Sequence, residues 1–317
     1  MIITDFTHRH IEEAANLAIF NYTIERDYVP SLPVVNTWPD LTPYADNELG
    51  IAAIENGKLI GFLCCVPPFD NAFRSTKVKG VFSPMEANGA RIEDCGVIHA
   101  AMYRAAAQKW VAASAVSHGI CLYAHNESAQ RQFFRYGFGL RCIDAIRPME
   151  EIDCNACDGY VFSEIGQEDF KSIFPLDLML NEHMRKSPTF IHRQADTIES
   201  FIDSCVEDKA RYFVARIEGN ICAFMKITNA GETFITELHT YIHINGAFCL
   251  PEHRGKGVYQ NLLNYTIKTL KAEGYTRLGV DFESINPAAF GFWSKYFLPY
   301  THGVVRRVDE LIIENDI

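Results

Sequence analysis

Residues 250–258 read Leu250-Pro-Glu-His-Arg-Gly-Lys-Gly-Val258, and this stretch joins an extended apolar run to a helical pattern. Gly255 and Gly257 allow the backbone to turn tightly into the helix. The first N–H groups of a helix lack intrahelical partners, and Arg254 and Lys256 add positive charge beside them. The stretch is therefore a candidate anion site suited to a pyrophosphate. It is neither a GxxxxGK[ST] loop nor a GxGxxG loop, and alone such a turn can be only a turn.

The residues on either side of this loop alternate between strand and helix patterns. Extended runs are expected at 211–217, 221–228 and 241–250. An apolar helical stripe then runs from Val258 to a C-terminal cap at Gly274. After a further strand, a second helix begins at Pro287, a residue suited to a first helical turn. This order predicts an α/β (α+β) fold with a mixed sheet flanked by helices.

The chain contains the same pattern twice. Residues 119–138 read GICLYAHNESAQRQFFRYGF, and residues 279–298 read GVDFESINPAAFGFWSKYFL. At a constant offset of 160, Asn126 meets Asn286. Because 160 is close to half of the 317 residues, duplication explains the match better than coincidence. We place the boundary in the polar stretch after Met149, which gives domains 1–150 and 151–317.

Composition limits the classes of function. Hydrophobic residues make up 48% and charged residues 22%, so each half can have a packed core. The formal net charge of -11 argues against nucleic-acid binding and against docking on an anionic membrane, and it favours a cationic acceptor. No apolar run reaches the roughly 18 residues of a membrane span, and Met1–His10 lacks a signal-peptide pattern. A cytoplasmic location is expected.

The cysteines fit the same location. The chain has ten, without an export signal, and we expect reduced thiols packed in the core. Cys154 and Cys157 form a single CxxC. Since a structural zinc site needs four ligands and no second such pair follows, no metal is expected. Metal or redox chemistry at this pair remains the alternative.

Together with a second signature, the loop resembles that of the GNAT acetyltransferase superfamily. The pyrophosphate loop of that family reads [Q/R]xxGx[G/A], and this chain matches it at Arg254 and Gly257. Tyr259 departs from the pattern, because Gly or Ala is usual there. The second signature is a strand ending in Asn, followed by xxA and an aromatic-rich helix, and residues 286–293 fit it. The resemblance covers both halves and implies two GNAT-like domains in tandem, each with a centrally splayed sheet.

The resemblance implies that acetyl-CoA is the co-substrate and that it lies where two parallel strands separate. Backbone groups of Phe248, Cys249 and Leu250 would hold the pantetheine arm. Asn286 would reach the arm from the facing strand, although an Asn at this place can equally cap the helix. The pyrophosphate would lie on the loop, whose expected contact residues are Arg254, Gly255, Lys256, Gly257, Val258 and Tyr259.

The reaction implied by the resemblance is direct attack of a neutral primary amine on the thioester, which requires a proton acceptor and a proton donor. The place of the family's acidic Tyr is taken by Trp293, whose indole is not a useful acid. Tyr296, one helical turn further, is the substitute candidate. The alternative is that Tyr296 is an aromatic residue packed under the helix.

The place of the family's basic Glu is taken by Gly246. Asp281 and Glu283 share one face of their strand, and His243 shares a face with Asn245 on the preceding strand. Glu283 is the best candidate base, the alternative being a solvated carboxylate at a strand end.

The first half keeps the pattern and departs at the loop. At the offset of 160, Asp94-Cys-Gly-Val97 replaces Arg254-Gly-Lys-Gly257, with Glu93 beside it. Two carboxylates there oppose a pyrophosphate, so we expect a degenerate domain without cofactor. The expected function is an N-acetyltransferase acting on a small-molecule or peptide amine. The alternative is a non-catalytic acyl-CoA-binding or regulatory module. The sequence leaves the acceptor and the oligomeric state open.

Overall fold

The computed structural model describes residues 1–74, 76–193, 197–229 and 231–314. The first half of the chain begins with a strand and two helices, continues with four strands, and ends with alternating helices and strands. Its elements are β1 (Ile2–Asp5), α1 (Ile11–Tyr28), α2 (Thr42–Asp46), β2 (Ile51–Glu55), β3 (Lys58–Leu63), β4 (Gly80–Ser83), β5 (Asn88–Ala90), α3 (Cys95–Ala112), β6 (Ser117–Tyr123), α4 (Glu127–Arg135) and β7 (Gly139–Pro148).

The second half follows a similar order. Its elements are β8 (Tyr160–Ile165), α5 (Phe174–Arg185), α6 (Ile198–Glu207), β9 (Arg211–Ile217), β10 (Asn220–Thr228), β11 (Tyr241–Cys249), α7 (Val258–Ala272), β12 (Arg277–Glu283), α8 (Pro287–Tyr296), β13 (Leu298–Arg307) and α9 (Leu311–Glu314). The offset of 160 found in the sequence holds in the structure, since β6 runs from 117 to 123 and β12 from 277 to 283. The mixed α/β fold is confirmed.

The chain divides into two compact units, and the division differs from the predicted boundary at 150. The first unit is Met1–Asp144 together with Pro299–Ile317, and the second is Ala145–Leu298. The carboxyl-terminal segment joins the first unit because β13 pairs antiparallel with β6, from Thr301 opposite Tyr123 to Arg307 opposite Ser117. Local sequence patterns carry no information about this long-range pairing.

In the first unit, strands β1, β2, β3 and β5 form an antiparallel sheet in that order, and β4 pairs in parallel with β6. Helix α3 packs on this unit through an aromatic core that includes Tyr103, Trp110, Phe133 and Phe138. In the second unit the strand order is β12, β11, β10, β9, β8. Only β11 and β12 are parallel neighbours among these strands, and the other pairs are antiparallel.

Helix α7 buries the apolar stripe expected from its sequence. Its inward residues are at most 1% exposed; they are Val258, Leu262, Leu263, Ile267 and Leu270. Burial of one such side chain stabilises the fold by about 1.5–3 kcal/mol, so the helix and the loop before it are firmly anchored. Gly257 and Gly274 bound the helix with φ values of +77° and +98°, a backbone region that favours glycine.

All ten cysteines lie in the described ranges, and none of them forms a disulfide there. Seven are buried, and Cys142, Cys154 and Cys157 are half-buried. Across the described ranges, no helix is both long and apolar enough to cross a membrane.

Candidate functional site

The site begins where β11 and β12 separate. These parallel strands pair from Tyr241 opposite Arg277 to Ile244 opposite Val280. In the part of the chain that the structure describes, they do not pair beyond this point. Strand β11 continues to Cys249, paired with β10 on its other side. Its edge toward β12 is therefore open beyond Ile244, as a splayed sheet requires. An open strand edge offers N–H and C=O groups to an amide-containing ligand.

A β-bulge coincides with the point of separation. Lys226 on β10 faces two residues of β11, Asn245 and Gly246, because the pairing shifts between Ile244 and Ala247. A bulge bends its strand and increases the local twist. The bulge therefore turns the second part of β11, which contains Phe248 and Cys249, away from β12.

The anion loop (residues 254–257) follows this open edge and leads into α7. Gly255 and Gly257 have φ values of +73° and +77°, which direct the backbone into the helix. Arg254 is fixed at the strand end: its Nε donates to the Cys249 carbonyl at 2.8 Å, and its guanidinium lies 5.5 Å from the centre of the Phe248 ring. With exposed Lys256 beside the first N–H groups of α7, the loop combines positive charge with helix N–H groups, the two features that favour an anion.

The linker segment (residues 152–160) is hydrogen-bonded to the anion loop and to α7. Cys157 Sγ donates to the Lys256 carbonyl at 3.2 Å. Asn261 Nδ2 donates to Cys157 Sγ at 3.3 Å and to the Asn155 carbonyl at 2.9 Å, and Cys154 Sγ donates to Asn261 Oδ1 at 3.5 Å. Burial raises the pKa of the Cys157 thiol and so keeps its proton available for donation. Both cysteines of the CxxC thus hold a loop in place.

Asn286 caps helix α8. Its Oδ1 accepts from the N–H groups of Ala288 at 3.2 Å and Ala289 at 3.4 Å. Its Nδ2 lies 3.6 Å from Met184 Sδ, and its Oδ1 lies 3.4 Å from His183 Nε2. Of the two roles expected from the sequence, the cap is observed. The contact with a pantetheine arm stays a prediction.

The half-buried side chain of Tyr259 packs between β10 and α8. Its hydroxyl donates to the Phe224 carbonyl at 3.0 Å, and its ring lies 5.1 Å from that of Phe292 and 6.0 Å from that of Trp293. Burial raises the pKa of this hydroxyl, so it stays protonated. The half-buried tyrosine that departs from the family's pattern therefore joins β10 to α8.

Tyr296 and Glu283, the predicted acid and base, occupy different surroundings. Tyr296 is half-buried, with its ring 4.9 Å from that of Phe292. Burial and then Cys154 raise the pKa of Tyr296, whereas Arg147 lowers it. Glu283 is the last residue of β12 and is half-buried. Their catalytic roles stay predictions.

The structure brings together two side chains that sequence reasoning placed on neighbouring strands but did not join. His243 Nε2 lies 2.7 Å from Asp281 Oδ1. The His243 side chain is 0% exposed and that of Asp281 26%. Asp281 is the first residue of β12 after the last pair with β11. The alternation of strand faces was the available signal, but the register that makes these residues neighbours was not visible in the sequence.

In the first unit, a side chain bridges the corresponding separation of strands. Strand β4 pairs with β6 up to Ser83 opposite Ile120, and then the chain turns into β5. The side-chain nitrogen of Asn88 donates to the Cys121 carbonyl on β6 at 3.0 Å and to the Pro84 carbonyl at 3.0 Å. This amide therefore links the edge of β6 to the segment that follows β4.

The start of α3 is closed as well. The Gly96 N–H donates to Ser128 Oγ at 3.2 Å, and Asn126 Nδ2 lies 3.3 Å from Cys95 Sγ. A Cβ at Gly96 would stand 3.0 Å from the Ser128 carbonyl oxygen, so α3 and α4 are in direct contact. Asp94 precedes the helix with a φ of +59°. One of the N–H groups that an anion would use already has a partner.

Comparison with known proteins agrees with this geometry. Residues 177–297 match the model of the acetyltransferase (GNAT) family. That segment runs from α5 to the residue after α8 and includes the anion loop. The second unit thus carries a GNAT domain, and the superfamily recognised in the sequence is confirmed. A search of curated proteins gave no match.

Solved structures extend the likeness to nearly the whole chain. A GCN5-related N-acetyltransferase from Sphaerobacter thermophilus is 10% identical, with a TM-score of 0.58 over 96% of this chain and 95% of that chain. A GNAT-family acetyltransferase from Colwellia psychrerythraea is 13% identical, with a TM-score of 0.48 over 98% and 100%. A tandem GNAT protein from the clavulanic acid biosynthesis pathway is 10% identical, with a TM-score of 0.44 over 98% and 98%. At 10% identity and a TM-score of 0.58, the likeness to the Sphaerobacter thermophilus protein shows the fold alone.

Proposed function

We propose that this protein is an N-acetyltransferase that moves an acetyl group from acetyl-CoA to a primary amine of a small molecule or peptide. One observation carries the proposal: the open edge of β11 leads directly into a basic, glycine-turned loop at the start of α7. A strand rises about 3.3 Å per residue, so the edge from Gly246 to Leu250 extends about 13 Å. That edge suits an extended arm with two amide groups, and the loop suits the pyrophosphate at the end of that arm.

The second unit supplies the binding groups. Of the backbone groups predicted to hold the pantetheine arm, the Cys249 carbonyl already accepts from Arg254 and the Leu250 N–H already donates to the Cys222 carbonyl. The other N–H and C=O groups along the β11 edge, from Gly246 to Cys249, would pair with the amides of the arm. Arg254, Lys256 and the N–H groups of residues 255–259 would hold the pyrophosphate, because positive charge and unpaired helix N–H groups both favour an anion. Tyr259 would contribute through its backbone N–H, since its hydroxyl is bonded to the Phe224 carbonyl.

The first unit would bind no acetyl-CoA. Its open strand edge is bridged by Asn88, and its α3 N-terminus is covered by Ser128 and preceded by acidic residues. One acetyl-CoA per chain is therefore expected, bound in the second unit.

The proposed chemistry needs one group that removes a proton from the acceptor ammonium and one that returns a proton to the leaving thiolate. Tyr296 is the proposed acid and Glu283 the base that the sequence suggests. A cationic acceptor fits the net charge of -11.

The second candidate is a non-catalytic acyl-CoA-binding or regulatory module. It is motivated by Trp293 and Gly246, which stand where the family's acid and base are usual. Release of free thiol from acetyl-CoA, measured with the purified chain across a panel of primary amines, separates the two functions. Amine-dependent release refutes the non-catalytic function. Acetyl-CoA binding without release for any amine refutes the proposed transferase.

A further inference from the structure

His243 and Asp281 form a pair at the point where the two central strands of the second unit separate. The pair joins neighbouring strands through a contact of 2.7 Å between His243 Nε2 and Asp281 Oδ1. The imidazole is wholly buried, whereas the carboxylate keeps 26% of its side-chain surface exposed. One member of the pair is thus held inside the protein and the other is accessible.

The surrounding backbone leaves room for this imidazole. His243 stacks on Tyr241, with ring centres 6.1 Å apart and planes at 16°, and the Tyr241 hydroxyl lies 3.5 Å from His243 Nδ1. A Cβ at Gly279 would stand 1.7 Å from the Tyr241 hydroxyl and 2.8 Å from His243 Nδ1. A Cβ at Gly231 would stand 2.7 Å from the same nitrogen. Two glycines are therefore needed where the imidazole packs, and they fix its orientation toward Asp281.

The pair belongs to the unit that has the anion loop. In the first unit, Phe82 stands opposite Gly119 in the strand pairing, as His243 stands opposite Gly279. Cys121 is 160 residues before Asp281. The unit whose strand separation is bridged by Asn88 thus has a phenyl ring and a thiol at these places. The imidazole and the carboxylate occur together with the features that would bind acetyl-CoA.

We propose that Asp281 is the proton acceptor of the transfer and that His243 is its positioning residue. This inference rests on the proposed function. An arm bound from the anion loop along β11 ends near the bulge at Asn245 and Gly246, and Asp281 follows the last residue of β12 paired there. An amine approaching the thioester at that point meets this carboxylate. His243, through Nε2–H, holds the carboxylate in one orientation and shares the proton it receives.

The proton and electron balance is simple. The acceptor ammonium gives one proton to Asp281, and the freed nitrogen lone pair forms the C–N bond with the thioester carbon. The C–S bond then breaks and its electron pair leaves on the thiolate. Tyr296, the proposed acid, gives its proton to that sulfur and is reprotonated by the second proton of the attacking nitrogen, and the proton on the Asp281–His243 pair passes to water.

The test compares Asp281→Asn, His243→Gln and Glu283→Gln in the full chain, with the exposed Asp203→Asn as matched control. Asp203 lies on the surface of helix α6 in the same unit. With the best primary alkylamine of the panel, Asp281→Asn should lower kcat by about 10²-fold, the scale of general base catalysis. The acetyl-CoA Kd should stay within about 2-fold of wild type. Asp281→Glu should recover part of the rate, and His243→Gln should lower kcat by about 10-fold with KM unchanged.

An amine of low basicity tests whether Asp281 acts by removing a proton from the acceptor. With methoxyamine, which is neutral at the assay pH, the Asp281→Asn defect should shrink to less than about 5-fold, because no proton must be removed before attack. The inference is overturned if Asp281→Asn has the kcat of an active wild type, or if its kcat falls equally with methoxyamine and with the alkylamine. Either result leaves the proposed function standing. A loss confined to Glu283→Gln also overturns the inference. If the wild-type protein releases no thiol with any amine of the panel, both the inference and the proposed function are overturned.

A second measurement does not depend on turnover. Nitrogen-15 spectra of histidine-labelled protein should show His243 with a proton on Nε2, and Asp281→Asn should shift that signal. A neutral His243 protonated on Nδ1 alone would overturn the inference, because Nε2 would then have no proton to donate to the carboxylate.

Discussion

Replacement of Gly257 by glutamate and, in parallel, by glutamine separates charge from backbone strain in the anion loop. Both side chains add a Cβ at a residue whose φ is +77°. That conformation costs a non-glycine residue about 1–2 kcal/mol of folding stability. The added Cβ would lie 3.4 Å from Cys157 Sγ, an ordinary van der Waals distance. Both variants should therefore fold, with equal and moderate losses of stability.

The difference between the variants is one negative charge. At an effective dielectric constant of about 20 and a separation of about 5.5 Å, a carboxylate and one phosphate charge repel by about 3 kcal/mol. Screening at this half-exposed position reduces the value to about 2 kcal/mol. Gly257→Glu should thus bind acetyl-CoA about 30-fold more weakly than Gly257→Gln. Asp94→Asn, at the place in the first unit that corresponds to Arg254, should leave the affinity unchanged.

Calorimetric titration with acetyl-CoA measures both affinity and stoichiometry, and thermal unfolding checks that the variants are folded. Wild type should bind one molecule per chain. Equal affinities of folded Gly257→Glu and Gly257→Gln would refute the assignment of the pyrophosphate to this loop. Two equivalent sites per chain would refute the assignment of the cofactor to the second unit alone.

Three further predictions concern the acid, the linker segment and pH. Tyr296→Phe should lower turnover by about 10²-fold with unchanged acetyl-CoA affinity, whereas unchanged turnover with a lower melting temperature would assign Tyr296 to packing. Asn261→Ala removes the hydrogen bonds to Asn155, Cys154 and Cys157. It should lower the free energy of unfolding by about 1–3 kcal/mol and weaken acetyl-CoA binding. Gln260→Ala removes a single bond to Asp153 and should have a smaller effect on both quantities. Burial lowers the pKa of His99, His118 and His302 to about 4, so the folded state binds fewer protons than the unfolded state, whose histidines titrate near about 6.5. The free energy of unfolding in urea should therefore fall as pH drops from 7 to 5, by on the order of 2 kcal/mol per histidine, and His99→Phe should reduce that fall.

The features that sequence analysis located correctly are local ones. Glycines at 255 and 257, an apolar stripe of helical period and a proline at the start of α8 act over a few residues, so they can be found without tertiary structure. The duplication was also accessible, because β6 and β12 keep the same spacing in both halves. These features were enough for the fold class, the glycine turn that leads into α7, and the superfamily.

The features that were missed depend on pairing between distant segments. His243 meets Asp281 only because β11 and β12 pair in one particular register, and a shift by one residue would put them on opposite faces. Cys154 and Cys157 gain their role from Asn261 and Lys256, residues about one hundred positions away. The sequence showed which groups could donate or accept a hydrogen bond, and the tertiary contacts determined which partners these groups have.

The pairing of β13 leads to a last prediction, on whether the two halves can be separated. A fragment of residues 151–317 would contain β13 without β6, its partner in the first unit. Tyr300, Thr301 and Val304 are 0% exposed in the intact chain, and exposing an apolar side chain of this size costs about 1.5–3 kcal/mol. Since the stability of a domain is on the order of 5–15 kcal/mol, we expect residues 151–317 to be poorly folded alone, and residues 1–150 to have an open edge at β6.

A fragment of residues 145–298 is the matched comparison, because it follows the compact second unit and omits β13. Circular dichroism and thermal unfolding of the two fragments give the answer. A cooperative transition for 151–317 at the temperature of the intact protein would show that β13 does not need β6. A better-folded 145–298 would show that the duplicated sequence and the folding unit have different boundaries. The boundary of the repeat would then reflect the duplication of the sequence, whereas strand pairing would set the boundary of the segment that folds alone.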